Sequence, residues 1–591
     1  MANHRSLRVA VLFLAAVLLI GLGDGSADVP DWVESSDANT QLVTELFARY
    51  LPELMGGLGV AGLDSEVRQI SVELDKEAER EENQVLATLQ ERLAEEQSPA
   101  VRQDLEILID LLERDLEQTE ATERLMLPYF DVAEIIFRGT RALLDEQIAE
   151  ERRPAALVRL NRYAGLEENY TPLTEQAQVY VRAQFGEPNL LGPFREEVEQ
   201  DLARAPRLVA GIGQMFEDFG LAGYEAAFET LEKQLEAYHE FVRAEVLPRA
   251  RQDYRLPPEL YALALEDLGV DMSVPELTSR AKVAFKEIQN EMQALAVLLA
   301  AELELPTSDY RAVLRELKKA QLTSEVIVDH YAQRIREVEA IIESEAVTSL
   351  PTRELRLRLA SEAEEAIVQA ATIRWPQLLG EAADFGEIIL PVRRAATDES
   401  TGDVVIDDFT FEAASWSLIV HEGRPGHELQ MAFMLERGLS KARAFYAFNS
   451  TNIEGWALYA ESEMKPYLPL DAQLVSLQHR LLRAARAFLD PGLQMGEITR
   501  DEAMRVLMEE IVVSEPLAEQ EVERYTSRNP GQATSYFCGY SRLLELRTDT
   551  ERMLGERFDR LAFNDFILSQ GLLPPSLLRQ AVLEEFVAET E

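Results

Sequence analysis

Apolar stripes at helical spacing constrain the fold of this chain more than any other feature of its sequence. Apolar side chains recur at steps of three and four residues, as at Val101, Leu105, Leu108, Leu112 and Leu116. This spacing places them on one face of an α-helix, with Glu, Arg and Gln on the opposite face. We therefore predict a mostly α-helical fold.

Proline and glycine divide the helical pattern into segments. Residues 65–124 are nearly free of both, and we predict two or three long helices there, broken near Ser98-Pro99. Leu247-Pro248 is expected to end a helix that runs through Val242. Leu191-Gly192-Pro193 opens a further helical block. We therefore predict an N-terminal helical region over residues 28–190 and a larger helical region over residues 191–591.

One short stretch departs from the helical pattern. Gly386–Pro391 and Val404–Ile406 are short and rich in β-branched residues, with Thr401-Gly402-Asp403 between them. Such runs around a turn signal indicate β-strands. We predict a small β-hairpin here, and its edge could pair with an extended peptide.

The charge and cysteine content exclude several classes of protein. The 591 residues contain 58 Lys and Arg against 106 Asp and Glu, a formal net charge of -48. A surface this acidic repels phosphate backbones, so we expect no nucleic-acid partner. The one cysteine, Cys538, permits neither an intrachain disulfide nor a cysteine-based zinc or iron–sulfur site.

The first 27 residues have the pattern of a secretory signal peptide. Arg5 and Arg8 precede an apolar run of 14 residues, Val9–Leu22. That run is shorter than the ~20 residues that span a bilayer as a helix. We expect cleavage before Asp28 and a periplasmic or secreted protein without further membrane contact. An uncleaved N-terminal anchor is the alternative, and since no cysteine follows the run we expect no bacterial lipid anchor at this point.

Two of the six histidines lie close together, at His421 and His427. The related zinc motif H-E-x-x-H places its histidines four residues apart on one helix face. A separation of six residues on an unbroken helix would put them 240° apart around the axis. Pro425 resolves this conflict, because its ring clashes with the carbonyl of His421 in a helix, and Gly426 can turn the chain back. We predict that both imidazoles bind one metal ion; the alternative is a helix end with two ordinary surface histidines.

A metal site of this kind needs a third protein ligand. Glu454 follows His427 by 27 residues, far enough to return on a second helix. Thr451 and Glu454 also fit a helix-capping box, in which the carboxylate binds only backbone N–H groups. Glu461 lies two helical turns further along the same face, as an alternative ligand or as a carboxylate that orients a histidine. We favour Glu454 as the ligand.

These residues form motifs that resemble a known family. The motifs are His421-Glu422-x-x-Pro425-Gly426-His427-x-x-Gln430, Glu454-Gly455-Trp456-Ala457-Leu458-Tyr459-Ala460-Glu461, Arg524-Tyr525, Pro530-Gly531-Gln532-Ala533-x-x-Tyr536-x-x-Gly539 and Gln570-Gly571-x-x-Pro574. Over about residues 190 to 590 the chain resembles the bacterial family called domain of unknown function 885 (DUF885). Its members are regarded as exported, largely helical zinc metallopeptidases similar to the gluzincins.

The resemblance implies a zincin-like fold and peptide hydrolysis by residues 191–591. Zn²⁺ would be held by His421, His427 and Glu454, and the metal-activated water would pass its proton to Glu422 as general base. The C-terminal block offers Tyr525, Tyr536, Tyr540 and Arg524 as donors for the oxyanion. Of these we favour Tyr536 as a catalytic residue, because it stands in the Tyr-x-x-Gly motif.

Several further residues are candidates for substrate binding. Arg524 and Tyr540 are the positions that we expect to contact a peptide substrate. Arg480, Arg483 and Arg486 recur at steps of three, where they either bind a substrate carboxylate or pair with the surplus acids. A zinc-dependent amidase or other small-molecule hydrolase, and a catalytically inactive helical binding protein, are the alternative functions.

Two positions depart from the family's pattern. The family often has a histidine after Asp-x-Gly-Leu, where this chain has Gln494, and often has Phe-His-Asp where this chain has Phe563-Asn564-Asp565. Neither position belongs to the predicted three-ligand site. Both departures bear on substrate preference and, to a lesser degree, on activity.

Overall fold

The computed structural model describes residues 31–145, 148–323, 325–360, 371–374, 385–391 and 408–590. In this part of the chain the fold is mostly α-helical with one small β-sheet, which confirms the predicted fold class. The predicted signal segment, residues 1–27, lies outside the described residues. No described helix is long and apolar enough to cross a membrane.

The chain divides into two compact units. One contains the described residues up to Leu260 together with Gly438–Ala447, and the other contains the remaining described residues. The predicted division between residues 190 and 191 stays a prediction.

The first unit is built from helices whose apolar stripes are buried. Val101, Leu105, Leu108 and Leu112 are at most 2% exposed. The predicted break near Ser98-Pro99 is confirmed, because one helix ends at Glu95 and the next begins at Pro99. The elements are α1 (Asp31–Tyr50), α2 (Pro52–Gly57), α3 (Val72–Glu95), α4 (Pro99–Leu125), α5 (Val132–Arg141), α6 (Ala155–Tyr163), α7 (Leu173–Gln184), α8 (Arg195–Asp218), α9 (Glu225–Phe241), a π-helical turn (Val242–Val246), a 3₁₀ turn (Leu247–Arg249) and a second π-helical turn (Ala442–Tyr446).

The second unit contains the candidate site. Its elements are α10 (Pro258–Asp267, which begins three residues before the unit), α11 (Val274–Glu302), α12 (Tyr310–Leu317), α13 (Ile327–Ser344), β1 (Glu354–Leu359), β2 (Thr372–Arg374), β3 (Phe385–Leu390), α14 (Ala414–Leu418), α15 (His427–Arg437), α16 (Ser450–Met464), α17 (Leu470–Gln494), α18 (Arg500–Arg505), α19 (Glu515–Glu523), α20 (Gln532–Leu554), α21 (Arg560–Ser569), α22 (Pro575–Ala581) and α23 (Ala588–Thr590). Further turns of π-helix extend four of these helices, at Ile419–Gly423, Val506–Ile511, Arg524–Arg528 and Val582–Val587.

The sheet differs from the predicted hairpin. The strand predicted at Gly386–Pro391 is present as β3, but β3 is the central strand, parallel to β1 and antiparallel to β2. Both hydrogen-bonding edges of β3 are thus occupied over residues 387–389, so β3 offers no free edge to a peptide there. The second predicted strand, Val404–Ile406, lies outside the described residues.

Two glycines allow helices α16 and α20 to pack unusually closely. A Cβ atom on Gly455 would lie 2.6 Å from the Gly539 backbone, and one on Gly539 would lie 1.9 Å from the carbonyl oxygen of Thr451. No larger residue fits at either position without moving a helix. This contact sets the distance between the acidic residues of α16 and the tyrosines of α20.

Candidate metal centre

The chain breaks its helix between the two histidines, as the sequence predicts. Helix α14 passes into the π-helical turn Ile419–Gly423, the Arg424–Pro425 peptide bond is cis, and α15 begins at His427. A Cβ atom on Gly426 would lie 2.0 Å from the carbonyl oxygen of His421. Only glycine therefore permits the reversal that brings His427 back beside His421.

Side chains from neighbouring elements hold this reversal in place. The indole Nε1 of Trp456 donates a 2.8 Å hydrogen bond to the carbonyl oxygen of Pro425. The buried Arg424 donates to Glu428 at 2.9 Å and to Glu339 at 2.5 Å. These charge-assisted bonds fix the loop on both sides of the proline.

The two imidazoles meet at one carboxylate of α16. The rings of His421 and His427 are 4.8 Å apart between centroids. Oε2 of Glu454 lies 3.3 Å from Nε2 of His427 and 3.7 Å from Nε2 of His421. One ligand atom from each of the three residues lies within 4.8 Å of the other two, and this is the one such group found among the described residues.

The three residues of this group are not fully hydrogen-bonded within the described part of the chain. Oε2 of Glu454 and Nδ1 of His427 are buried, and neither has a hydrogen-bond partner among the described residues. Burial raises the pKa of Glu454, but the two imidazoles outweigh it and hold this pKa well below its ordinary value. Two imidazole nitrogens and an ionised carboxylate are a donor set that zinc accepts, so the residues present fit the metal.

Glu461 occupies a different position from Glu454. Its Oε1 lies 2.7 Å from Nδ1 of His421, on the side of the ring away from Glu454. Burial raises its pKa, but Arg483 and the bond to His421 outweigh this and lower the pKa to about 2. As an anion, Glu461 accepts a hydrogen bond from the protonated Nδ1 of His421. The free lone pair of the ring is then on Nε2.

A serine links Glu461 to a third histidine. The hydroxyl of Ser417 donates to Oε2 of Glu461 at 3.0 Å and lies 2.9 Å from Nδ1 of His479. Burial and the nearby Arg483 lower the pKa of His479 to about 3, so the ring is neutral. Because the Ser417 hydroxyl donates its hydrogen bond to Glu461, it accepts a hydrogen bond from Nδ1–H of His479.

The capping alternative for Glu454 is not formed. The N-terminal cap of α16 is Asn449, whose side chain accepts from the backbone N–H of Asn452. The hydroxyl of Thr451 donates instead to the carbonyl oxygen of Leu268. Glu454 is thereby left one turn inside the helix and facing the histidines.

Glu422 lies in the π-helical turn directly after His421. Its carboxyl makes no hydrogen bond within the described part of the chain. Burial raises its pKa to about 7, with Glu454 and Glu461 adding to the effect and His427 and Arg483 opposing it. Its electrostatic neighbours therefore include two of the predicted metal ligands.

Tyr536 stacks on the first histidine of the site. Its ring is 6.3 Å from that of His421 and within 8° of parallel. Burial raises the pKa of Tyr536, and the charge of Glu454 adds to this. Its hydroxyl makes no hydrogen bond within the described residues, so it is available to a ligand.

The other two candidate tyrosines use their hydroxyls within the protein. The hydroxyl of Tyr525 donates to Glu521 at 2.6 Å. That of Tyr540 accepts from Arg480 at 2.8 Å and donates to Ser462 at 3.1 Å. The predicted substrate contact by Tyr540 would have to replace one of these bonds.

The candidate arginines surround Tyr536 but have different partners. Arg486 lies 4.5 Å above the Tyr536 ring and binds Glu521 through two hydrogen bonds, at 2.7 and 2.6 Å. Arg483 lies 3.7 Å from Glu461. Arg524 lies 3.6 Å from Glu521, and its buried Nη1 has no hydrogen-bond partner in the part of the chain described.

Sequence reasoning missed three residues of this site. Gln532 donates to Oε1 of Glu454 at 3.4 Å; it stands in a quoted motif, but no role was assigned to it. Ser417 carries no signal in the sequence, and His479 reads as an isolated structural histidine. Their relation to Glu461 depends on the packing of α14 and α17 against α16.

The two departures from the family's pattern have structural bonds. Gln494 donates to the carbonyl oxygen of Tyr525 at 2.6 Å. Asn564 accepts from Tyr459 at 3.0 Å and donates to the carbonyl oxygen of Val347 at 2.8 Å. None of these three bonds is to a predicted metal ligand.

A cavity of about 650 Å³ lies elsewhere in the same unit. Trp456 and Gly539 line it, together with Arg542 and Arg579, and none of the three predicted ligands does. Both arginines are paired with carboxylates, at Asp271 and Asp549. This cavity is therefore separate from the candidate metal centre.

Comparison with solved structures shows proteins of the same fold. The chain is similar to "a putative lipoprotein of unknown function" from Shewanella oneidensis, with a TM-score of 0.70 and 19% identity, covering 94% of this chain and 100% of that one. It is also similar to "the putative lipoprotein from Colwellia psychrerythraea", with a TM-score of 0.68 and 17% identity, covering 94% and 98%. A "putative oligoendopeptidase F" from Bacillus anthracis has a TM-score of 0.30, too low to support any argument. No curated protein matches the sequence.

A family profile matches most of the chain. The profile is described as "Bacterial protein of unknown function (DUF885)" and matches residues 52–582. The match extends further towards the N-terminus than the motifs that carry the resemblance. The chain belongs to the DUF885 family.

Proposed function

We propose that this chain is an exported zinc-dependent peptidase in which His421, His427 and Glu454 hold the metal. The observation that carries the proposal is the convergence of three ligand atoms within 4.8 Å of one another, one of them a buried carboxylate oxygen without a hydrogen-bond partner among the described residues. Three protein ligands with a fourth position left open are typical of catalytic zinc sites.

Zinc bound there would supply Lewis acidity towards a peptide carbonyl and activate water. The protein's own contribution begins with Glu422, whose carboxylate would accept a proton and return it to the leaving amine. Its carboxyl has no competing hydrogen bond within the described residues. Tyr536 would donate its free hydroxyl to the oxyanion that develops on the carbonyl oxygen.

Glu461 and Ser417 would keep His421 in the form that can bind metal. A ring nitrogen binds a metal through its lone pair, so the proton must be on the other nitrogen. The 2.7 Å contact between Nδ1 of His421 and Glu461 holds the proton there. Glu461 is thus a positioning residue and Glu454 the ligand.

Metal content is the first test. Wild-type protein stripped with a chelator and reconstituted with zinc is expected to retain one zinc per chain, measured by elemental mass spectrometry after gel filtration. Glu454→Gln is expected to lose it. Glu463→Gln is the matched control, because Glu463 lies on the same helix but pairs with Arg547. Less than one zinc per wild-type chain, or equal loss in both variants, would count against the site.

Peptide hydrolysis is the second test. A peptide library is digested and the products are read by mass spectrometry, with wild type compared with Glu422→Gln. Loss of a general base typically costs about 10²- to 10⁴-fold in rate. We expect a loss in this range while zinc is retained. Equal cleavage by both proteins contradicts the mechanism, and cleavage of simple amides but of no peptide favours the amidase alternative.

Export rests on the sequence of residues 1–27. We expect the mature protein, purified from the native host, to begin at Asp28 and to be found in the periplasm or the medium. N-terminal sequencing with cell fractionation measures this. A mature chain that retains the apolar run and sediments with membranes would instead support the uncleaved anchor.

A further inference from the structure

The carboxylates that pair with the arginines around Tyr536 do not neutralise all of the positive charge there. Arg483 and Glu461 form one pair, at 3.7 Å. Beside it, Glu521 is shared by Arg486, with two short hydrogen bonds, and by Arg524 at 3.6 Å. Two cations thus share one carboxylate, and this group has a surplus of one positive charge.

The other acids near Arg524 do not remove this surplus, and Glu454, whose charge also acts on Tyr536, faces the two histidines. Burial raises the pKa of Asp490 to about 8, and its carboxyl is already bonded to the hydroxyl of Tyr261 and to the backbone N–H of Gly531. Glu523 pairs with Arg528 at 2.7 Å. Glu521 is ionised at neutral pH. Burial raises its pKa, but Arg486 and Arg524 outweigh this and lower the pKa to about 2.

Arg524 is the member of the group that a ligand can reach. Its side chain is 23% exposed, compared with 7% for Arg486 and 9% for Arg483. Its guanidinium makes no hydrogen bond within the described residues. Its charge lowers the pKa of the Tyr536 hydroxyl, so Arg524 lies within electrostatic range of that candidate catalytic residue.

We propose that Arg524 binds a carboxylate of the substrate, and that this carboxylate is the free C-terminus of a short peptide. An arginine fork matches a carboxylate through two parallel hydrogen bonds, and a partly buried cation without a full partner gains most from such a ligand. The inference rests on the proposed peptidase function. It deepens that function to cleavage near the C-terminal end of the substrate.

An acidic side chain of the substrate would offer the same chemistry, so the test separates the two sources. Three acetylated tetrapeptide libraries are compared: free acids without Asp or Glu, the same sequences as C-terminal amides, and amides that contain Asp or Glu. A charge-assisted hydrogen bond of this kind corresponds to about 10- to 100-fold in affinity or rate. We expect wild type to cleave the free acids about 10- to 100-fold faster than the neutral amides.

The variants assign this preference to one residue. Arg524→Gln is expected to abolish the difference in kcat/KM between the free acids and the amides. Arg528→Gln is the matched control, an arginine in the same π-helical turn that is paired with Glu523. If amides that contain Asp or Glu are cleaved as fast as the free acids, the source is a side-chain carboxylate. No preference among the three libraries, or a preference that survives in Arg524→Gln, would overturn the inference.

Binding gives a second readout that does not require turnover. Library members retained by Glu422→Gln on ultrafiltration are compared with those retained by Glu422→Gln/Arg524→Gln, each with zinc and after chelation. Enrichment of free acids that depends on Arg524 supports the carboxylate site even if no peptide is cleaved, in which case only the proposed function fails. If cleavage is lost in Glu422→Gln but does not depend on a free terminal carboxylate, the proposed function stands and only the carboxylate inference is overturned.

Discussion

A buried polar cluster in the first unit and the candidate metal centre in the second differ in how completely their polar groups are bonded. In the first unit, Oδ2 of Asp104 accepts from the hydroxyls of Ser36 and Ser440, and Oδ1 accepts from Arg443 at 2.7 Å. Arg443 also donates to Gln103 at 2.5 Å. Each oxygen of the buried carboxylate has a donor.

The metal centre is less completely buried, with the Glu454 side chain 15% exposed, and it is incompletely bonded. Oε2 of Glu454 and Nδ1 of His427 are buried without a hydrogen-bond partner within the described residues. The Tyr536 hydroxyl and the Glu422 carboxyl, which are not fully buried atoms, make no hydrogen bond there either. Buried polar groups without partners are costly, and most buried groups in folded proteins avoid this cost. The Asp104 cluster is therefore explained by stability, whereas the metal centre requires a ligand to explain it.

Removing one carboxylate from each cluster tests this difference most directly. Asp104→Ala removes the buried counter-ion to which Arg443 and the hydroxyls of Ser36 and Ser440 donate, and we expect a loss of about 3–5 kcal/mol in the free energy of unfolding. In the metal-free protein, Glu454→Gln loses the ionic contacts of the carboxylate with His421 and His427 but keeps the 3.4 Å contact with Gln532, and we expect a smaller loss of about 1–2 kcal/mol.

Urea titrations of the chelated proteins, followed by circular dichroism, measure both values. Zinc stoichiometry should show the reverse order, with full zinc binding in Asp104→Ala and none in Glu454→Gln. If the two variants are destabilised to the same extent, the number of hydrogen-bond partners does not distinguish a structural cluster from a functional one.

Tyr536→Phe tests whether a free hydroxyl is a functional one. Removing one donor to a developing oxyanion typically lowers kcat by about 10²- to 10³-fold. We expect a loss in this range with unchanged zinc content, and with stability close to wild type, because the hydroxyl has no bond to lose within the described residues. Steady-state kinetics on the peptide found in the library digest measures it. A loss confined to KM would make Tyr536 a substrate-binding residue instead.

Glu461→Gln and Ser417→Ala test the fully bonded side of the metal centre. Removal of a group that orients a metal ligand typically costs 10- to 100-fold in metal affinity. We expect this loss for Glu461→Gln and a smaller one for Ser417→Ala, which keeps the 2.7 Å contact between Glu461 and His421. Competition with a zinc-binding dye gives both Kd values. A loss as complete as that of Glu454→Gln would make Glu461 the metal ligand.

The parts that the sequence predicts are those governed by local rules. The stripe through Val101 and Leu112 follows from helical periodicity, and the break after His421 follows from the chemistry of Pro425 and Gly426. The proximity of His421, His427 and Glu454 needs one further step, the return of α16. That return depends on the contact between Gly455 and Gly539, which the sequence does not reveal as a pair.

The remainder depends on distant parts of the chain. Ser417 and His479 are 62 residues apart in sequence and meet only through helix packing. The predicted hairpin assumed that neighbouring segments pair with each other, whereas β3 pairs with β1 from 31 residues earlier. The packing of the whole unit decides which hydroxyl or guanidinium has no hydrogen-bond partner. The sequence therefore names Tyr525, Tyr536 and Tyr540 as candidates but cannot distinguish among them.

Tyr540 provides the smallest and most specific test of that separation. Its hydroxyl bonds to Arg480 and Ser462, so Tyr540→Phe removes ordinary hydrogen bonds rather than a free donor. We expect a loss of about 1 kcal/mol in the free energy of unfolding and less than about 3-fold in kcat/KM, in contrast to Tyr536→Phe. The same urea titrations and kinetics apply. Because both tyrosines are on α20, four residues apart and 8% exposed, a large loss of activity in Tyr540→Phe would show that a bonded hydroxyl is exchanged for substrate.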